Sequence, residues 1–240
     1  MDANVNVFEQ GAMLLIDKPL DWTSFDVVRK LRGQVRTKKI GHAGTLDPLA
    51  TGLLILCTGK FTKKINEYMA QEKEYTGTIT LGASTPTYDL ESEPQPQKDP
   101  SYITPALVAD TIGRQFLHEI LQTPPAHSAI KVGGKRVYEL ARQGKEVKLE
   151  PRPVTIKAFD ITDFALPVLH FRVVCTTGTY IRSLANDLGA ALGCGGYLSS
   201  LRRTRIGEYS VGDAMTMEAA GEHIRRLLPD TTGHTSPPKG

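Results

Sequence analysis

The sequence predicts an α+β fold built on a mixed sheet, and three observations lead there. Runs of strand periodicity and helix periodicity mix along the chain without regular βαβ alternation. No internal repeat is evident. The 240 residues are 40% hydrophobic and 23% charged, an ordinary globular composition with enough interior for a substantial core.

The elements follow in order. Met13 to Ile16 is a short apolar strand. Thr23-Ser24-Phe25-Asp26 has capping-box spacing, and Phe25, Val28, Leu31 and Val35 give one face of the helix that follows. Leu53 to Cys57 is a compact apolar run, expected as a buried strand, and Phe61, Ile65, Tyr68 and Met69 mark a second amphipathic helix. From Tyr75 to Leu81 the residues alternate, with Thr76, Thr78 and Thr80 on one face of a half-exposed strand. Residues 84–101 are rich in proline, serine and acid and read as a loop excursion. A helix follows Thr104-Pro105, with proline in its favourable first turn. Thr123 through Pro153 is basic and bounded by prolines, as an insertion held outside the core would be. Val154 to Phe164 and Val168 to Thr176 are expected as neighbouring strands. Ile181, Leu184, Ala185, Leu188, Ala191 and Leu192 then form a helix stripe that Gly193 closes. Cys194 to Tyr209 returns to strand, a last helix runs near Met217 to Leu228, and residues 230–240 are polar enough to be a disordered tail.

The segment hardest to assign to architecture alone is Gly41-His42-Ala43-Gly44-Thr45-Leu46-Asp47-Pro48-Leu49-Ala50-Thr51-Gly52. Its glycines and proline rule out a regular helix or central strand. Such a loop either makes a tight connection, with Asp47 satisfying local N–H groups, or presents a side chain to a ligand.

Net charge is +3 and the isoelectric point about 8.7, so the sum does not mark a nucleic-acid binder. The distribution says more. Arg29, Lys30, Arg32, Arg36, Lys38 and Lys39 precede the glycine loop, and Lys60, Lys63 and Lys64 follow it. Lys131, Lys135, Arg136, Arg142, Lys145, Lys148 and Arg152 form a third set, and Arg202, Arg203 and Arg205 a fourth. Acidic residues such as Asp89, Glu91 and Glu93 concentrate elsewhere. Basic residues flanking each candidate loop point to a polyanion, with solvated faces as the competing explanation for any one cluster.

Other classes are excluded or weakened. Gly52 and Gly59-Lys60 are separated by six residues where a phosphate-binding P-loop needs four, and Phe61 stands where its Ser or Thr would be. No dinucleotide fingerprint is present. His42, His118, His127, His170, His223 and His234 show no paired i,i+4 spacing, and Cys57, Cys175 and Cys194 are too scattered for a disulfide framework or metal site. No run approaches the roughly 18 apolar residues of a membrane span. The amino terminus lacks a signal-like region, so a cytoplasmic location is expected.

Five segments, in order, resemble the TruB family of tRNA pseudouridine synthases. They are Lys18-Pro19 with Thr23-Ser24, the loop Gly41 to Gly52, Lys73-Glu74-Tyr75, Gly178-Thr179-Tyr180-Ile181-Arg182-Ser183-Leu184, and Leu198 to Gly207 containing Leu201-Arg202-Arg203-Thr204. Taken singly, Tyr75 would be a strand-packing residue, Arg182 half of an ion pair and Leu201 core. Joint occurrence over residues 11–215 makes the likeness specific. It implies the pseudouridine synthase fold, a central mixed, mostly antiparallel sheet flanked by helices and loops. It also implies that Asp47 is the catalytic aspartate, Tyr75 lies beside the bound base, and Arg182 pairs with the aspartate. Lys18, His42, Gly44, Thr45, Tyr180 and Leu201 are then the expected substrate contacts, with Leu201 an apolar wall near the target base.

One departure is Asp21, where the family has glycine; Asp tolerates turn geometry better than most residues. Another is the carboxy terminus. The expectation is a catalytic domain over residues 1–229, carrying the basic insertion at about 124–152, and no C-terminal PUA-like RNA-binding domain. The implied activity is isomerisation of uridine 55 in the tRNA T-loop, with the base flipped out of the stack. That reaction needs no redox change or external group, so no cofactor or metal is expected. The expected partner is the tRNA T-arm, with no membrane and no small-molecule cofactor, and nothing resembles a dimerisation seam, so a monomer is expected. Two alternatives are a synthase guided by a small RNA and an RNA-folding chaperone whose catalysis is incidental.

Overall fold

The computed structural model describes residues 6–126, 128, 131–132, 135–136 and 149–228. In chain order the elements are α1 (Val7–Gln10), β1 (Met13–Lys18), α2 (Ser24–Val35), β2 (Ile40–His42), β3 (Ala50–Thr58), a 3₁₀ turn (Gly59–Lys64), α3 (Ile65–Met69) and β4 (Lys73–Leu81). Next come β5 (Ala83–Ser84), β6 (Gln95–Pro96), α4 (Pro105–Gln115), β7 (His118–Gln122), β8 (Lys131–Val132), β9 (Lys135–Arg136), β10 (Arg152–Ala165) and β11 (Val168–Cys175). The chain closes with α5 (Ile181–Ala191), β12 (Gly196–Ile206) and α6 (Met217–Leu227). Two compact units result: residues up to Met69 together with those from Ser210 onward, and Ala70–Tyr209. Most of the basic insertion and the expected tail lie outside the described residues.

The first unit wraps α2 and α6 around a small antiparallel sheet. β1 pairs with β3 from Met13↔Cys57 to Lys18↔Gly52, and β2 pairs with β3 from Ile40↔Thr58 to His42↔Leu56. Residues 53–57 are fully buried, so the apolar run is a central strand, as its composition requires. The capping box forms as spaced: Asp26 N donates to Thr23 Oγ1 at 2.9 Å, and Thr23 N donates to Asp26 Oδ2 at 3.0 Å. The packed stripe of α2 differs from the expected one. Val27, Val28, Leu31 and Val35 are buried while Phe25 is 57% exposed, because Ser24 takes the inward position at the helix start. Ala220 and Ile224 of α6 complete this core. The expected helix over 61–69 is a 3₁₀ turn followed by the short α3, with Tyr68 buried and Met69 exposed.

The second unit is an antiparallel sheet in the order β12-β4-β11-β10-β7. The threonine face of β4 behaves as its alternation predicts: Thr78 Oγ1 is 2.7 Å from Ser199 Oγ, and Thr80 Oγ1 donates to that oxygen at 2.9 Å. The other face buries Tyr75, Ile79 and Leu81. Every strand ladder described within the two units is antiparallel, and isolated parallel bridges join Ile16 to Met215 and Asp89 to Leu198. Thr104 caps α4 by accepting from Leu107 N at 3.1 Å. Ala191, placed in the α5 stripe by its spacing, is exposed at the helix end, while Leu184, Ala185 and Leu188 are buried.

α5 meets β12 backbone to backbone. A Cβ on Gly189 would stand 2.1 Å from Gly196 N, closer than any atom can sit. Gly189→Ala is therefore expected to force helix and strand apart, costing about 3 kcal/mol and lowering Tm by about 6–12 °C. A thermal melt checks this; an unchanged Tm would mean that the contact is not held.

Candidate active site

The Asp47 loop is fixed from three sides within the first unit. Ala43 N donates to Ile55 O at 2.9 Å, tying its start to β3. At its middle, Ser24 Oγ accepts from Leu46 N at 2.8 Å and donates to Leu46 O at 3.2 Å, joining the loop to the start of α2. Behind the aspartate, Ala50 N donates to Asp47 O at 3.0 Å and Asp21 N donates to Pro48 O at 2.9 Å. Asp21 itself has φ +64°, the left-handed region that a glycine would occupy without strain, which gives the unusual residue at this position a physical reason.

Lys18 sits beneath this loop at the end of β1 and is fully buried. Its ammonium donates to Pro19 O at 2.9 Å, to Trp22 O, and more weakly to Pro48 O at 3.4 Å. In this arrangement it braces the turn that holds Asp47. His42 ends β2 and is half-buried, Gly44 has φ +95°, Thr45 is exposed and Asp47 is half-buried. The sequence-predicted residues of the first unit thus gather on one loop and the strand end below it.

The second unit assembles the others. Leu201 of β12 lies opposite Gly77 of β4, and Arg203 lies opposite Tyr75. Residues two apart on a strand share a face, so Tyr75 and Leu201 are diagonal neighbours on one side of the sheet. Gly77 between them has no room for a Cβ, which would meet Ser200 O at 2.2 Å, so this spot is held bare. Lys73 shares the Tyr75 face and is buried; burial, with Arg203 nearby, pulls its ammonium down to about 8.

Arg182 lies in the first turn of α5, and neighbouring groups lock that turn. Gln122 Oε1 accepts from Tyr180 N at 2.8 Å, while Gln122 Nε2 donates to Tyr180 O at 3.1 Å. Ser183 Oγ donates to Thr123 O at 2.8 Å. A buried arginine at the positive end of a helix needs an acid. Asp89 supplies one: its Oδ2 is 4.0 Å from Arg182 Nε, with the two side chains 6% and 7% exposed. Asp89 is held in turn, since Oδ1 accepts from Glu91 N at 3.0 Å and its carbonyl accepts from Thr85 Oγ1 at 2.7 Å. The sequence shows Asp89 only as one of the acids that concentrate away from the basic clusters. The available signal was Arg182's need for a carboxylate, which does not say which one answers it.

A family model described as TruB family pseudouridylate synthase (N terminal domain) matches residues 32–181, and one described as tRNA pseudouridylate synthase B C-terminal domain matches residues 182–226. The chain belongs to the TruB family. A relative from Flavobacterium johnsoniae, curated as tRNA pseudouridine synthase B, is 52% identical over 223 residues, covering 90% of this chain and 97% of that protein. One of the same name from Chloroherpeton thalassium is 49% identical over 229 residues, covering 93% and 95%. Among solved structures, a chain of the Cbf5-Nop10-Gar1 complex matches with TM-score 0.70 and 27% identity over 91% of this chain. This chain spans 55% of that one. The likeness in fold agrees with the α+β architecture described above. Among the described residues no helix is long and apolar enough to cross a membrane.

Proposed function

We propose that this chain is a tRNA pseudouridine synthase that converts uridine 55 of the T-loop, with Asp47 carrying the chemistry. The observation that supports it most is the likeness, at 47–52% identity and along nearly the whole length, to proteins curated as tRNA pseudouridine synthase B. The reaction breaks the N1–C1′ bond, turns the base and joins C5 to C1′, so the hydrogen on C5 is lost as a proton and electrons balance without an oxidant. A carboxylate serves by attack at C1′ or C6 or by deprotonation at C2′. In this reading Arg182, the arginine that the family likeness pairs with the aspartate, supplies the planar cation that partners its carboxylate.

The reacting base must leave its stack, at a cost of a few kcal/mol. Tyr75 offers it an aromatic face, worth about 1–3 kcal/mol, and Leu201 an apolar wall. His42, Gly44 and Thr45 meet the RNA beside the loop, and Tyr180 is a further substrate contact. Lys18 contributes by holding the loop, and its reach toward RNA runs through that loop.

The test is a purified chain incubated with unmodified tRNA transcript, with pseudouridine mapped along the product. One pseudouridine at position 55, absent from a transcript carrying cytidine there, is the expected result. No product from tRNA alone, with product on adding a small guide RNA, would favour the guided alternative. Accelerated tRNA folding without any pseudouridine would favour the chaperone.

A further inference from the structure

One extra residue interrupts the ladder between β12 and β4. Leu198 lies opposite Ile79 and Ser200 opposite Thr78, so Ser199 stands between two successive rungs. Side chains normally alternate between the faces of a strand, yet Ser199 and Ser200 both turn to the threonine face. Thr78 Oγ1 is 2.7 Å from Ser199 Oγ and 2.8 Å from Ser200 Oγ. Leu198 and Leu201, three positions apart, both fall on the opposite face, across from Ile79 and Gly77. A second extra residue, Thr204, lies between the Arg203–Tyr75 and Arg205–Glu74 rungs, and its Oγ1 donates to Glu74 Oε1 at 2.8 Å. Between these two bulges Leu201 and Arg203 keep to the Tyr75 face.

Hydroxyls clamp the first bulge. Thr80 Oγ1 donates to Ser199 Oγ at 2.9 Å, and Ser199 Oγ donates to Thr78 O at 3.2 Å. With Thr78 Oγ1, these atoms surround a single hydroxyl on the face away from Tyr75. The bulge also presses its backbone across the sheet, since Ser200 O is the atom that a Cβ on Gly77 would meet. A slip of one residue reverses every side chain of a strand. Without the bulge, a ladder running on from Leu198 would turn Leu201 to the threonine face and set Arg202 opposite Tyr75. An arginine would then stand where the proposed reaction wants an apolar wall.

We infer that Ser199 is a positioning residue for the proposed reaction: its hydroxyl, held by Thr78 and Thr80, locks the bulge that turns Leu201 onto the Tyr75 face. The inference rests on the reading above, in which Tyr75 and Leu201 receive the base. Its test compares the wild type with Ser199→Ala, Ser199→Thr, Thr80→Val and the double variant Ser199→Ala/Thr80→Val. Single-turnover rate with saturating enzyme, tRNA affinity, Tm and amide hydrogen exchange across residues 200–203 are measured for each. Ser199→Ala is expected to slow the reaction about tenfold, short of the roughly 10²-fold that a 1 Å misplacement costs. Its tRNA affinity should stay within about twofold of wild type, and its amides at 200–203 should exchange about tenfold faster. Ser199→Thr keeps the hydroxyl and should match wild type. Thr80→Val acts through the same hydroxyl, so the double variant should be no slower than Ser199→Ala alone. A lowered Tm with a wild-type rate in Ser199→Ala would show a merely structural role and overturn the inference. So would a Ser199→Thr variant as slow as Ser199→Ala, or losses that multiply in the double variant. Exchange is read apart from turnover. An inactive wild type would therefore refute the activity reading, while wild-type exchange in Ser199→Ala would overturn the clamp itself.

Discussion

Asp47→Asn is expected to lower the single-turnover rate of pseudouridine formation by about 10⁴-fold or more, with tRNA affinity within about threefold of wild type. The substitution keeps the shape of the side chain and removes the negative charge, so it isolates the chemistry. Fold and loop should survive it. Hydrogen bonds through Ala43 N, Leu46 N and O, Asp47 O and Pro48 O tie the loop down, and the substitution leaves each of them in place. Rapid-quench kinetics with saturating enzyme, together with a binding isotherm, separate the two effects. A variant that also loses tRNA affinity would show that Asp47 shapes the RNA site instead.

Asp89→Asn is expected to be the next most damaging change, although Asp89 lies 93 positions from its partner Arg182. Both side chains are buried, so removing the Asp89 charge takes a carboxylate away from beside the buried Arg182 guanidinium. Breaking a buried pair costs about 3–5 kcal/mol, and the 4.0 Å separation puts this one toward the lower end. If Arg182 acts in the reaction as proposed, losing its fixed direction should lower the rate about 10²-fold, since misplacing a catalytic group by about 1 Å costs that much. Melting curves and single-turnover rates check both parts. Asp89→Glu, which restores the charge at a changed reach, should recover part of the rate. A merely structural role would lower Tm and leave the rate of the folded fraction untouched.

Much of this arrangement is legible where local chemistry decides it. The Thr23–Asp26 box, the alternating threonines of β4 and the fully apolar β3 form as their residue patterns dictate. Local periodicity fails where an element is short or its first turn is anchored elsewhere. Phe25 matches the spacing of the α2 stripe, but Ser24 binds Leu46 of the glycine loop and turns the helix so that Phe25 faces out. Residues 59–69 break into two short turns because Gly59, at φ +51° against α1, fixes where the chain leaves β3.

The candidate site is legible in its motifs and opaque in its supports. Asp47, Tyr75, Arg182 and Leu201 stand out because five segments resemble one family's motifs in order. What holds them is long-range: Lys18 reaching carbonyls up to 30 residues on, Gln122 clamping the Tyr180 peptide 58 residues away, and Asp89 facing Arg182. No window along the chain contains both members of such a pair. The first unit is likewise assembled from both ends of the sequence, with Ala220 and Ile224 packing into a core begun by Phe8 and Leu14.

The most direct measurement is release of tritium from tRNA whose uridines carry the label at C5, followed under single turnover for wild type and Asp47→Asn. One equivalent of tritium per tRNA from the wild type, and none above background from the variant bound to the same tRNA, is the predicted result. Release by Asp47→Asn at a rate near that of the wild type would contradict the assignment of the chemistry to this carboxylate.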